Sequence, residues 1–168
     1  MSVSIDNLHS VKLIFYVNFI VMKQTRHFFL KYQGHTSINI KKTSTNHYQI
    51  QASINNIEGV FILDTGASNT CADLNHLEKF NLISEKSEIK ASSATDLMEE
   101  TKISKKNKLQ IGKWINKSTS LVLFDLNHIN NALNEREIKK VEGIIGADTL
   151  KKGKAIIDYE KNRLYLKL

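Results

Sequence analysis

The stretch Phe61-Ile62-Leu63-Asp64-Thr65-Gly66-Ala67-Ser68 decides how the rest of the chain is read. From Val60 to Leu63 the residues are continuously apolar, the pattern of a strand buried on both faces, and the run stops on a carboxylate. An unpaired carboxylate buried at such a place is costly, or shifts its pKa far upward. Asp64 is therefore expected to open onto a cleft, to be paired, or to be held by backbone N–H groups. Gly66 and Ala67 leave room for the turn to fold its N–H groups back onto the carboxylate, and the Thr65 hydroxyl can reach a second copy of the same loop. A turn aspartate closing a strand is the bland alternative for Asp64 taken alone.

Upstream, Tyr48, Ile50, Ala52 and Ile54 alternate with Gln49, Gln51 and Ser53, the period of a half-buried strand, and Asn55-Asn56 supplies a tight turn. Downstream, Leu74, Leu77 and Phe80 stand at helical spacing behind Asp73, a short helix closed by Asn81. Residues 86–104 read as two strands around a polar tip. Leu109-Gln110-Ile111 and residues 119–124 read as strands, with Gly112-Lys113 a turn between them. A helical stretch at 127–135 carries Ile129 and Leu133 on one face. The tail runs through Ile144-Ile145-Gly146 to a hairpin made of residues 155–159 and 163–168. No period of 20–50 residues repeats. Many short strands, small helical pieces and no βαβ alternation predict a mostly β, barrel-like single domain over 35–168.

Leu63-Asp64-Thr65-Gly66-Ala67-Ser68, followed later by Ile144-Ile145-Gly146, resembles the retropepsin-like aspartic peptidases, the single-domain relatives of retroviral proteases. Gly146-Ala147-Asp148-Thr149-Leu150, residues 155–159 and Leu164-Tyr165-Leu166 add to the likeness, which covers about 46–168. The resemblance implies an acid-protease barrel in which the Ile144-Ile145-Gly146 strand passes beside the Asp64 loop, with a short helix after Gly146. It implies Asp64 as the catalytic residue, supported by Thr65, Gly66, Ala67 and Ser68. It also implies a flap hairpin, mapped to 88–102 with Ser92, Ser93, Ala94 and Thr95 at its tip. Relative to the compact viral enzymes, 127–135 reads as an insertion able to reshape the cleft.

The chemistry of that family needs two aspartates sharing one proton: the ionised one activates a water, and the protonated one polarises the peptide carbonyl. No metal, cofactor or covalent intermediate is implied. This chain has a single Asp-Thr/Ser-Gly, because Asp148-Thr149 is followed by Leu150. The expectation is therefore a homodimer acting on a peptide or protein substrate, with Asp64 supplied by each subunit about a two-fold axis. Asp148 and Asp158 read as a helix N-cap and a turn or salt-bridge residue. Cys71 reads as a small packing residue, and Trp114 as an anchor for the core or a surface.

Composition narrows the alternatives. With 168 residues, 41% hydrophobic and 24% charged, the chain has the balance of a globular domain. Its formal charge is +7, but the lysines are scattered as doublets such as Lys41-Lys42, Lys105-Lys106, Lys139-Lys140 and Lys151-Lys152. No nucleic-acid partner is expected from such short clusters. His9, His27, His35, His47, His76 and His128 show no metal-ligand spacing. A lone cysteine fits a reducing, cytoplasmic setting. The apolar run at 11–22 falls short of the roughly twenty residues a membrane span takes and lacks a small-x-small cleavage site; a weak signal or a membrane-associated segment is its alternative reading. Residues 1–34 form an N-terminal extension, in which 1–21 read as poorly ordered or as preceding a true start at Met22. Two other function classes compete with the peptidase. The same fold as a catalytically silent peptide-binding and dimerising module shares the cleft. An actin-like phosphotransfer ATPase would need a phosphate loop that the chain lacks.

Overall fold

In the computed structural model the described residues are Lys12, 26–86 and 101–168. The run 1–11, most of 11–22 and Met22 lie outside them, as does most of the segment mapped to the flap, Ser92, Ser93, Ala94 and Thr95 included. The chain divides into two units, Met1–His35 and Thr36–Leu168. In the first, residues 26–32 are helical (α1) and close through Gly34, whose N–H donates to Lys31 O at 2.8 Å. No helix of the described residues is long and apolar enough to cross a membrane.

The second unit is built on strands β1 (His35–Asn39), β2 (Lys41–Lys42), β3 (Tyr48–Ile54), β4 (Ile57–Leu63), β5 (Cys71–Asp73), β6 (Glu85–Lys86), β7 (Lys102–Ile111), β8 (Trp114–Phe124), β9 (Gly143–Ile145), β10 (Ile156–Asp158) and β11 (Arg163–Lys167). Helices α2 (Asn127–Asn134) and α3 (Ala147–Lys152) interrupt them. Eight strands form one sheet in the order β2-β3-β4-β9-β5-β8-β7-β6, and an extra β3–β7 pairing brings the sheet round on itself. The other three form a small sheet in the order β1-β11-β10.

Local chemistry sets the corners. Asn55 and Asn56 take φ of 51° and 69° in the turn between β3 and β4, a conformation asparagine tolerates better than most residues. The expected helix behind Asp73 is a single 3-10 turn, Leu74–His76. Buried Asp73 caps it by accepting the Asn75 N–H at 3.0 Å. The chain then reverses at Asn81, φ 51°. β7 is longer than its apolar residues alone suggest, because irregular pairing with β8 around Asn107 absorbs the polar run Lys105–Asn107.

Alternation splits the buried side chains between two faces of the sheet. Phe61, Ala72, Leu121, Leu123 and Ile145 point into the barrel core with Ile50, Ile54, Leu109, Ile111 and Leu164. Ile62, Cys71, Val122 and Ile144 point the other way, into a second cluster completed by Phe124, Leu126, Leu133 and Val141. The central strands are thus buried on both sides, as the apolar run before Asp64 predicts.

Candidate active site

β4 delivers Asp64 to the end of the sheet, and β9 lies parallel beside it with Leu63 opposite Ile145. The ladder extends one step further, the Asp64 N–H donating to Ile145 O at 3.0 Å. β9 is also antiparallel to β5, with Ile144 opposite Cys71. The strand carrying Ile144 and Ile145 thus threads between the two strands that flank the Asp64 loop. Gly143 makes this possible: a Cβ there would lie 2.3 Å from Cys71 O and 2.6 Å from the Phe61 ring.

Asp64, Thr65, Gly66 and Ser68 are exposed, while Ala67 is half-buried. The Gly66 N–H folds back onto Asp64 Oδ1 at 2.8 Å, the backbone grip expected from a small residue at that place. A carboxylate so held is presented to solvent with its backbone anchored, an arrangement suited to binding and activating a water.

Behind the loop sits a fully buried threonine that sequence reading passes over. Thr70 Oγ1 donates to Asp148 Oδ1 at 2.7 Å and accepts the Gly146 N–H at 3.1 Å. It also lies 2.6 Å from Thr149 Oγ1. A hydroxyl has one proton to give, so the Thr149 hydroxyl is the donor in that last pair. The Ala147 N–H adds a bond to Ala67 O at 2.8 Å. Gly146 closes the junction, because a Cβ there would stand 2.4 Å from Asn69 O. Asp148 is therefore not the N-cap of α3, as its position suggests; Gly146 holds that place. The Asp148 carboxylate, one step into the first turn, takes the Thr70 hydroxyl instead. Asp158 accepts the Lys161 N–H at 3.0 Å in the turn before β11. Trp114 is buried against the barrel core.

Cys71, one residue further, is buried and donates its S–H to Asn69 O at 3.1 Å. Burial, with the nearby Asp148 and Asp64 charges, pushes its thiol up to about 12. A thiol held protonated packs and does not attack. Among the described residues, no three His, Cys, Asp or Glu side chains are grouped to hold a metal ion.

On the outer side of the loop, Thr65 borders an open groove of about 320 Å³ lined by Ala147, Leu150, Ala155 and Ile157, with Lys151 and Lys154 also on it. The groove joins the Asp64 loop to α3 and the start of β10.

Residues 50–149 match the family model described as aspartyl protease. Among solved structures, the fold is similar to a retropepsin-like aspartic protease from Rickettsia conorii, at 21% identity and a TM-score of 0.54, covering 79% of this chain and 89% of that one. It is also similar to the EIAV protease solved with the inhibitor HBY-793, at 15% identity and a TM-score of 0.52, covering 70% of this chain and 98% of the viral one. No curated protein matches the sequence. With the family model spanning most of the barrel and Asp64 at the end of its central strand, this chain belongs to the aspartyl protease family and has a retropepsin-like fold.

Proposed function

We propose that the chain is an aspartic endopeptidase that works as a homodimer, each subunit contributing Asp64. The observation carrying this reading is an exposed carboxylate whose main chain is locked to β9 and whose oxygen is gripped by Gly66. Two such groups brought together across a two-fold axis cannot both ionise, so they share a proton. The ionised partner takes a proton from water as it attacks the peptide carbonyl. The protonated partner donates to the carbonyl oxygen; as the tetrahedral intermediate collapses, the proton taken from water passes to the leaving nitrogen, the C–N bond breaks and the hydroxyl proton returns to the other aspartate. Peptide or protein is the substrate class, and the 1–34 extension lies outside the catalytic domain in this reading.

Support for the second subunit comes from the groove beside Thr65. Its apolar floor ends at Ile157, next to Ile156 on β10, whose side chain is itself exposed. A second copy seated there would cover that apolar floor and bring the two Thr65 hydroxyls toward each other.

Subunit mixing tests the proposal. Wild-type protein is exchanged with increasing amounts of Asp64→Asn, and peptide hydrolysis is followed from acid to neutral pH. If each site needs two aspartates, activity follows the square of the wild-type fraction. A linear fall shows that one chain suffices, and equal inertness of wild type and variant favours the silent binding module on the same fold.

A further inference from the structure

The second hydrophobic cluster lies on the face of the sheet that leads to Asp64. Ile62 is opposite Ile144, Ile144 opposite Cys71, and Cys71 opposite Val122, so these four side chains stand abreast on adjacent strands. Ile62 and Asp64 are two residues apart on a backbone still paired with β9, and side chains two apart share a face. The cluster reaches the loop itself through Ala67. A peptide lying across Asp64 with a side chain directed onto this face would meet that apolar row.

The row is already covered. Ile62, Cys71, Val122 and Ile144 are only 7%, 7%, 5% and 8% exposed. Their cover is the segment after β8, which places Leu126, Ile129, Leu133, Ile138 and Val141 against them. That segment is also pinned. Asn130 donates its Nδ2 to Val141 O at 3.0 Å and accepts the Val141 N–H at 2.8 Å. Gln49 donates to Lys139 O at 2.9 Å, and the Asn127 N–H caps back onto Asp125 Oδ1 at 2.7 Å. Clasps between buried amides and backbone make the strap a fixed wall and not a lid, because opening it would strand the Asn130 amide and the Val141 peptide without partners.

We infer that the strap from Leu126 to Val141 is the specificity wall of the site, restricting the residues on either side of the scissile bond to small side chains such as Gly, Ala and Ser. This rests on the peptidase reading: in a two-fold dimer each subunit presents the same filled row to one side of the cleft, so the restriction applies to both flanking residues.

The test is a peptide library in which the two flanking residues are varied among Gly, Ala, Ser, Leu, Phe and Tyr. Wild type is compared with Ile129→Ala and Leu133→Ala, and Asp64→Asn serves as the blank. Wild type is expected to favour the small residues in kcat/KM. Trimming the half-buried Ile129 is expected to shift the preference toward Leu and Phe by about tenfold, the low end of what a single methylene is worth in an apolar pocket. Leu133→Ala removes more, and if its cavity prevents folding the Ile129 variant still decides. A wild-type preference for Leu or Phe, or an unchanged preference in Ile129→Ala, overturns the wall while leaving the peptidase intact. Wild type no more active than the Asp64→Asn blank overturns the peptidase reading, and the wall with it.

Discussion

Thr70 Oγ1 donates to Asp148 Oδ1 at 2.7 Å, joining residues 78 apart in the chain and fastening the Asp64 loop to the first turn of α3. With the Gly146 N–H and the Thr149 hydroxyl pointing at the same oxygen, one fully buried side chain serves three partners. Thr70→Val keeps the shape and deletes the oxygen, leaving those partners without it. The expected loss is about 1–3 kcal/mol in a urea titration, with a fall in kcat larger than any change in KM, since the loop that aims Asp64 loses its support. Thr70→Ser, which keeps the hydroxyl, is expected to restore most of both. A Thr70→Val variant as stable and active as wild type would show that the hydrogen bonds do not matter, and equal damage from the two replacements would show that the methyl group matters as much as the hydroxyl.

Gly143 and Gly146 answer to the same threading of β9 through the loop. The would-be Cβ of Gly143 meets Cys71 O, and that of Gly146 meets Asn69 O, both main-chain atoms within 2.5 Å. Backbone cannot swing aside as a flexible side chain can. Either glycine replaced by alanine is therefore expected to destabilise by at least the roughly 1–3 kcal/mol of an overpacked core, read as a lowered midpoint in thermal or urea unfolding. Gly66→Ala is the contrast. Its nearest neighbour is Asp64 Oδ1 at 3.3 Å, so it should leave stability nearly unchanged and act, if anywhere, on turnover.

What the sequence made legible follows from where local pattern and tertiary demand agree. The alternation at 48–54, the asparagine turn and the apolar run to Leu63 each specify their strand without help; that Ile144-Ile145-Gly146 runs beside the Asp64 loop, as β9 does, came from the family resemblance and not from local pattern. α2 was visible from Ile129 and Leu133. What it covers was not, since nothing local says which face of the sheet a helix will meet. Thr70 escaped because a threonine in a run of small polar residues looks like loop filling; only the fold brings Asp148 and Gly146 to it. Asp148 misled for the converse reason. Its place near a helix start suggests a cap, but its carboxylate is engaged by the Thr70 hydroxyl. The flap residues 92–95 lie outside the described residues.

Glu142 gives the fold an acid limit. One carboxylate oxygen accepts the Val60 N–H at 2.6 Å and the other accepts from Lys79 Nζ. Burial alone would raise its pKa, but the Lys79 ammonium and the Val60 amide outweigh that and hold it below its ordinary 4.5. A carboxylate whose folded value lies below its unfolded one contributes stability that is complete above pH 4.5 and is lost as pH falls through the folded value. Glu142→Gln is therefore expected to be less stable than wild type at neutral pH and to converge toward it below pH 4.5. Urea midpoints measured from pH 3 to 7 check this, and a constant gap across the range would rule the linkage out.

Cys71 sets an alkaline limit by the opposite sign. Its thiol, about 9.0 in an unfolded chain, is pushed up to about 12 by burial first and by the Asp148 and Asp64 charges next. The folded state therefore keeps a proton that the unfolded state gives up above pH 9. Stability from this source is complete below pH 9 and falls by about 1.4 kcal/mol per pH unit between 9 and 12. Cys71→Ala removes the thiol, so the wild-type minus variant difference in unfolding free energy is expected to shrink with that slope above pH 9, other titrations cancelling between the two. The same burial predicts that iodoacetamide leaves the folded protein unmodified at pH 8 and alkylates one thiol per chain in urea. Rapid labelling of the folded protein would place the sulfur at the surface of the loop and remove the basis for the alkaline slope.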